Sequence, residues 1–454
     1  ETFLKYRRPQ TSNHRHAWLC PGTTLQELET AIIGAVTHHP MLRSMALYFD
    51  SSTPLHATIR PSPTWWSHCL TTVPPIAKAT DLPTLVYNDR NLDFACFPGP
   101  MFRFVLTHVS DSNCAGLVYQ GQHSVFDGVS LPIFLEDLDT LLVSSNTVLK
   151  PHVPYKAWAD SMYLLQDSAL AQQSVTWQAK RLRDISRYPE ALFPKQIAPE
   201  WFKGNSEGWI DISTGKPGPP RKILDTDPVG VKGISAFGQM RDIQALKVKH
   251  GIEGSQIVKA ALAVVTTRYT GAEFAMFGQS QAGRSWPFLL DWQVERMPPA
   301  MDVDGPAVQG TLVRIPVRKD ETVLEMMRLQ EEQKFLNKHA YAPMRQLVAA
   351  MNEAVPGEGD FFGDAFRRQI FNWLPVAPSW NMEKLVNMQV ESRTDCGVLW
   401  NCIMMDQTTL KMNPTWDDAQ LRRVEIEEMM NGILRVAEAF AKEENWVKTI
   451  SQIV

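Results

Sequence analysis

The sequence predicts an α+β fold built as two lobes, and three observations carry that expectation. Helical and strand-like periodicities alternate along the chain, the same mixture recurs in its front and rear halves, and one stretch dense in Pro and Gly separates the halves. A length of 454 residues accommodates about three domains, or two large ones.

In the front half, Leu25, Leu28, Ile32 and Val36 recur at helical spacing, and Pro40 stops that helix near His39. Met101 to Val109 alternates as a strand, with Phe102, Phe104 and Leu106 on one side. Asp111-Ser112-Asn113 supplies turn chemistry, and Ala115 to Gln120 returns as a second strand. A helix follows from about Ser130, with Leu131, Phe134, Leu135, Leu138, Leu141 and Leu142 on one stripe. A helical stretch from Tyr155 to Arg187 leads into the punctuated segment between Pro194 and Gly233, which reads as a crossing connection. We draw the lobes at residues 1–176 and 177–454. The rear lobe offers an apolar helix around Ile257 to Val265, strands at Glu273 to Gln279 and Thr311 to Val317, and a charged helix over Thr322 to His339. Its last helix carries Met429, Ile433, Val436 and Phe440.

Composition closes several functional classes. At 44% hydrophobic and 21% charged the chain is globular rather than disordered. Lys plus Arg (45) against Asp plus Glu (49) gives a net charge of -4, leaving no basic excess for general nucleic-acid binding. No apolar run approaches the ~18–20 residues of a membrane span. The chain opens Glu1-Thr2-Phe3-Leu4 without a signal segment, and its six cysteines (Cys20, Cys69, Cys96, Cys114, Cys396, Cys402) include no Cys-x-x-Cys pair. Reduced thiols and a cytoplasmic location are therefore expected. No His, Cys and carboxylate grouping has metal-ligand spacing, so no metal is expected, and no phosphate-binding loop occurs. Gly278-Gln279-Ser280-Gln281-Ala282 lacks the second Gly of a nucleophile elbow. Trp65, Trp66, Trp158, Trp177, Trp201 and Trp209 read as packing residues.

Most of the eleven histidines sit in ordinary contexts. His38 and His39 end a helix, where the dipole favours them, and read as structural. His123 differs. It lies in Gln120-Gly121-Gln122-His123-Ser124-Val125-Phe126-Asp127-Gly128-Val129-Ser130, a short link between a strand and a helix. Such a link projects a side chain into a cleft while rigid elements hold it. Asp127 suits orienting the loop, capping the helix or pairing with an Arg; Gly128 permits close approach; Ser130 suits the N-cap. From the residues alone two readings stay open, a catalytic histidine or a surface histidine in a turn.

His123-Ser124-Val125-Phe126-Asp127-Gly128 resembles the H-H-x-x-x-D-G signature of nonribosomal peptide synthetase condensation domains, members of the chloramphenicol-acetyltransferase-like superfamily. Further segments agree in order. His39-Pro40-Met41-Leu42-Arg43 resembles the early H-P-x-L-R, and Leu92-Asp93-Phe94 with Gly99-Pro100-Met101-Phe102-Arg103 resembles F-D-L…G-P-L-L-R. Arg268-Tyr269-Thr270-Gly271, Phe277-Gly278 and Gly283-Arg284 resemble R-x-T-G…F-G…G-R, and Gly305-Pro306 through Arg314 has the spacing of G-P-F-V-N-T-L-P-V-R.

The resemblance implies two chloramphenicol-acetyltransferase-like lobes in a V, with a tunnel between them and the motif histidine near its middle. It implies an acyltransferase that forms an amide or ester from an acyl or peptidyl thioester carried on the phosphopantetheine arm of a carrier protein. No cofactor bound by the chain itself is implied. His123 would accept a proton from the attacking amine or hydroxyl, or align it, and Asp127 would pair structurally with Arg284. Two departures stand out. Gln122 replaces the first His of the signature, and Gln309-Gly310 replaces the Asn-Thr of a segment that lines the cleft in relatives. Gln122-His123-x-x-x-Asp127-x-x-Ser130 keeps the rear half of the S-H-x-x-x-D-x-x-S pattern of fungal terminal domains, which release a peptide by cyclisation. The expectation leans to that type. A chain-elongating domain, a stand-alone O- or N-acyltransferase and a non-catalytic carrier-binding module are the alternatives.

Overall fold

The computed structural model describes residues 13–47, 55–86, 100–194, 234–328, 336–374, 382–392, 396–416 and 421–454. The crossing segment near 194–233, Trp201, Trp209, Cys96 and the Leu92-Asp93-Phe94 motif lie outside or almost wholly outside these residues.

The front half contains strands β1 (Asn13–Cys20), β2 (Ser44–Leu47), β3 (Leu55–Thr58), β4 (Leu70–Thr72), β5 (Phe102–Val109), β6 (Cys114–Gln122) and β7 (Val153–Pro154). Its helices are α1 (Leu25–His38), α2 (Pro63–Cys69), α3 (Ser130–Val143), α4 (Tyr155–Leu164) and α5 (Ala169–Arg181). The rear half adds β8 (Ala236–Gln239), β9 (Phe274–Gln281), β10 (Val303–Asp304), β11 (Gln309–Pro316), β12 (Gln369–Leu374), β13 (Val386–Ser392), β14 (Val398–Met404) and β15 (Thr409–Trp416). Helices α6 (Ile243–His250), α7 (Gly254–Thr270), α8 (Asp291–Val294), α9 (Val323–Met327), α10 (Met344–Ala354), α11 (Glu358–Arg368), α12 (Arg423–Ala441) and α13 (Ile450–Ile453) complete it.

Two large sheets organise these elements. The front sheet runs β13-β1-β6-β5-β4 and the rear sheet β11-β9-β12-β14-β15-β8. Each builds its own apolar core. Leu28, Ile32 and Val36 of α1 and Leu131, Phe134 and Leu138 of α3 pack on Trp18, Phe102, Phe104 and Tyr119. In the rear, Ala260 to Val265 of α7 are buried with Met429, Ile433 and Phe440 of α12 against Phe277, Phe371 and Trp400.

Local chemistry sets the boundaries. Thr24 and Glu27 form a capping box at the start of α1, each accepting the other's backbone N–H. The helical stretch expected from Tyr155 to Arg187 is interrupted, because Ser168 caps a fresh helix by accepting from the N–H of Ala171, and Asp184 turns left-handed (φ 65). The charged helix expected over Thr322 to His339 is helical at Val323–Met327 and again at 336–338. Arg328 leaves helical geometry with ψ 39, and residues 329–335 lie outside the described set.

The two halves share chain. β13 comes from the rear half yet pairs antiparallel with β1, and Leu385 just before it is buried in the front core. The boundary drawn between 176 and 177 falls inside α5, and Leu182 and Ile185 beyond that helix pack with Phe274 and Leu312 of the rear sheet. A two-strand parallel ribbon, Val153 beside Val303 and Pro154 beside Asp304, ties the halves again. Among the described residues no helix is long and apolar enough to cross a membrane. Cys20, Cys69, Cys114 and Cys402 are free and buried, and Cys396 is buried as well.

Candidate active site

Strand β6 delivers its chain to His123, which begins the irregular link to α3 and is half-buried. Val125 and Phe126 plug the link into the front core, Phe126 between Tyr119 and Phe134. With both flanks anchored, the imidazole is held between two rigid elements. Burial lowers its pKa below the usual histidine range, outweighing the Asp127 charge and backbone hydrogen bonds that act to raise it. The ring is therefore neutral at neutral pH and able to accept a proton.

Asp127 is the hub of the loop. Its Oδ1 accepts from the N–H groups of Val129 (3.0 Å) and Ser130 (2.8 Å) and from the Ser130 hydroxyl (3.0 Å). Its backbone C=O accepts the N–H of Leu131 (3.1 Å), the first bond of the helix. Of the two residues the sequence offers for the cap, Asp127 performs it and Ser130 does not. Ser130 is already helical and instead accepts the Asp127 N–H at its Oγ (3.0 Å). The reason is geometric: a carboxylate three residues back reaches two free N–H groups at once.

The same carboxylate reaches the rear half. Arg284 donates to Asp127 Oδ1 at 2.6 Å, and the N–H of Ala307 donates to Oδ2 at 2.8 Å. Both charged side chains are buried, 2% and 0% exposed. Arg284 further donates to the carbonyls of Val303 (2.6 Å) and Gly305 (2.9 Å), so its charge is shared among three acceptors. Gly283 before it has φ +61, and a Cβ there would lie 1.6 Å from the carbonyl oxygen of Ala307. Only glycine allows the chain through that approach. The Tyr341 hydroxyl closes this turn, donating to the Gly283 carbonyl (2.5 Å) and accepting the N–H of Ser285 (3.1 Å).

The remaining predicted positions lie around this lattice. Gly128 is exposed, and among the described residues a Cβ there would meet only Leu374 of β12, at 4.0 Å. Gln309 starts β11, its Cγ within 3.0 Å of the Cβ position of Gly283. Gly310 lies opposite Ser280, and a Cβ there would strike the ring of Phe366 at 2.3 Å. Of Gln122 the backbone is described, pairing with Asn13 at the end of β6, and its side chain lies outside the described set. Tyr341 and Ala307 are not legible in the sequence as site residues. Tyr341 lies in no motif, Ala307 falls within the Gly305–Arg314 segment with no chemistry-bearing side chain to single it out, and each contributes through a position that only the fold reveals.

A family model described as "Condensation domain" matches residues 10–445. The chain belongs to the condensation-domain family. Its sequence is 20% identical over 360 residues to a linear gramicidin synthase protein of Brevibacillus parabrevis, covering 78% of this chain and 6% of that protein. It is 24% identical over 236 residues to nonribosomal peptide synthetase ungA of Aspergillus violaceofuscus, covering 52% of this chain and 2% of that one. The chain thus spans a small part of these curated relatives. In fold it is similar to the starter condensation domain of rhizomide synthetase, an arginine variant in complex with C8-CoA. The TM-score is 0.70 at 14% identity, over 99% of this chain and 93% of that one. The fold is accordingly the chloramphenicol-acetyltransferase-like α+β type. Condensation domains are acyltransferase-type catalysts of nonribosomal peptide synthetases and work with carrier domains and thioester substrates.

Proposed function

We propose that this condensation domain transfers an acyl or peptidyl group from a carrier-bound phosphopantetheine thioester to an amine or hydroxyl, with His123 as the catalytic base. The observation that carries this reading is a desolvated imidazole on a loop tied to the rear half through Asp127 and Arg284. As the nucleophile attacks the thioester carbonyl, its N–H or O–H proton passes to His123. The carbon–sulfur bond breaks, and the departing pantetheine thiolate takes up that proton. For an amine that is already neutral, alignment by the ring contributes more than proton removal. Asp127 and Arg284 are positioning residues, and Gln309 and Gly310 belong to the wall of the cleft between the lobes 1–176 and 177–454.

Within this chemistry we favour terminal release by cyclisation, the nucleophile lying within the tethered chain. Support comes from the pattern Gln122-His123-x-x-x-Asp127-x-x-Ser130, in which the first motif His is replaced. Similarity to a linear gramicidin synthase favours chain elongation as the second reading. Mass spectrometry of products from carrier-bound and pantetheine-mimic thioesters separates them. A product lighter than the linear acid by one water, formed by the native protein and lost with His123→Ala, is the expected result. Product that appears only on adding a second amine or alcohol replaces cyclisation by elongation. Turnover equal in native protein and His123→Ala would remove His123 from the chemistry.

A further inference from the structure

Away from the His123 loop, three side chains from three elements converge. His38 ends α1, Asp137 lies two turns into α3, and His152 immediately precedes β7. One ligand atom from each, two imidazole nitrogens and one carboxylate oxygen, lies within 4.8 Å of the others. His152 Nε2 is 2.7 Å from Asp137 Oδ2, and His38 Nε2 is 3.8 Å from the same oxygen. His38 Nε2 also donates to the carbonyl of Lys150 at 2.8 Å. The side chains are 27%, 10% and 11% exposed, so the group opens to solvent on the His38 side.

From this geometry we infer that His38, Asp137 and His152 form a binding site for a first-row divalent transition ion of the zinc class. Two imidazoles with one carboxylate suit zinc, cobalt, nickel or copper and do not suit magnesium or calcium, which take oxygen ligands. Tetrahedral bonds of about 2.0–2.2 Å put neighbouring ligand atoms about 3.3–3.5 Å apart. The observed separations of 2.7 and 3.8 Å bracket that value, so shifts of about half an ångström assemble the site. Each histidine presents Nε2 to the ion once its hydrogen moves to Nδ1 or to water. The Lys150 carbonyl or a water completes the fourth position.

The surroundings orient the ligands. The C-terminal end of α1, the negative end of its dipole, faces the site through His38. His39 Nε2 lies 2.9 Å from Asp137 Oδ2, while its Nδ1 lies 2.8 Å from Asp304 Oδ1, so the ligand carboxylate is itself held in place. That chain of contacts ends on β10, whose Val303 carbonyl receives Arg284. An ion here would brace α1, α3 and the β7–β10 ribbon about 10 Å along α3 from the loop that Asp127 caps. The sequence conceals the site because its ligands are 99 and 15 residues apart, outside any short spacing pattern.

The test uses the full chain without a histidine tag, stripped with a chelator and titrated with Co2+ followed by Zn2+. We expect one Co2+ per chain with the intense visible bands of tetrahedral coordination, displacement by Zn2+, and a Zn2+-dependent rise in Tm. His38→Gln and His152→Gln, with folding checked by circular dichroism, should each weaken binding at least about tenfold. His68→Gln, a change at an exposed histidine on α2, should leave it unchanged. Native protein that binds no tighter than the His38→Gln/His152→Gln double variant overturns the site. So does an equal loss in His68→Gln.

Discussion

His123 owes its protonation state to where the fold puts it. Desolvation dominates its environment and lowers its pKa, so the basic form persists to lower pH than for a free histidine near 6.5. If neutral His123 is the base, kcat/KM should fall on the acid side only below pH 6.5. An α-amine acceptor titrates by itself near about 8 and would mask that limb, so an alcohol acceptor is the cleaner probe. An acid limb at or above 6.5, or one that survives unchanged in His123→Gln, would contradict the assignment. Across β6 from the same loop, the ring of His16 shows how far burial alone reaches. It is fully buried, and desolvation lowers its pKa to about 3. At His123 the same desolvation dominates, and nearby Asp127 acts against it.

At the scale of elements, the decisive object is the start of α3, where one carboxylate serves as helix cap, loop brace and ion-pair partner. Replacing Asp127 by Asn keeps the volume but leaves the Arg284 guanidinium buried with carbonyls alone. Removing one partner of such a pair costs about 3–5 kcal/mol, and urea unfolding should show a loss of that size. A loss below about 1 kcal/mol, the range of surface pairs, would mean the pair does not hold the loop. The double variant with Arg284→Met should cost less than the two single changes summed, since it no longer strands a charge. Activity lost in Asp127→Asn therefore reports positioning, and a parallel loss of stability distinguishes it from a chemical role. Much of this element is readable in the sequence. The strand–loop–helix order around His123 follows from alternation, turn residues and the Leu131, Phe134, Leu138 stripe. Which residue caps stays open in the sequence, since Ser130 directly precedes that stripe while Asp127 also suits the role, and the structure gives it to Asp127, which reaches the free N–H groups across Gly128 and Val129. His39 with Asp304, and Asp127 with Ala307, are 265 and 180 residues apart, and no local pattern announces such pairs.

For the molecule as a whole, two lobes follow from the sequence because each half repeats a sheet-and-helix composition with its own apolar helix faces. What composition does not carry is how the chain is shared between them. β13 and Leu385 leave the rear half to complete the front sheet and its core, and β7 pairs with β10 across the halves. A fragment of residues 1–176 would lack β13, exposing the unpaired edge of β1 along His14 to Leu19 and opening the pocket that Leu385 fills. Open strand edges pair with other chains, and a vacated core position costs stability on top of that. It would also end inside α5, which packs against α10 of the rear half. That fragment is expected to aggregate or to lack cooperative unfolding. Appending residues 382–392 through a flexible linker, and trimming α5 from the front piece, should restore solubility and a defined transition. Circular dichroism and urea unfolding of both fragments decide it. Cooperative unfolding of 1–176 alone would show that the front lobe is independent and that the borrowed strand is dispensable. Recovery only with the appended strand would mean that β13 alone completes the front lobe, so that in the whole chain this shared strand ties the half carrying His123 to the half carrying Arg284.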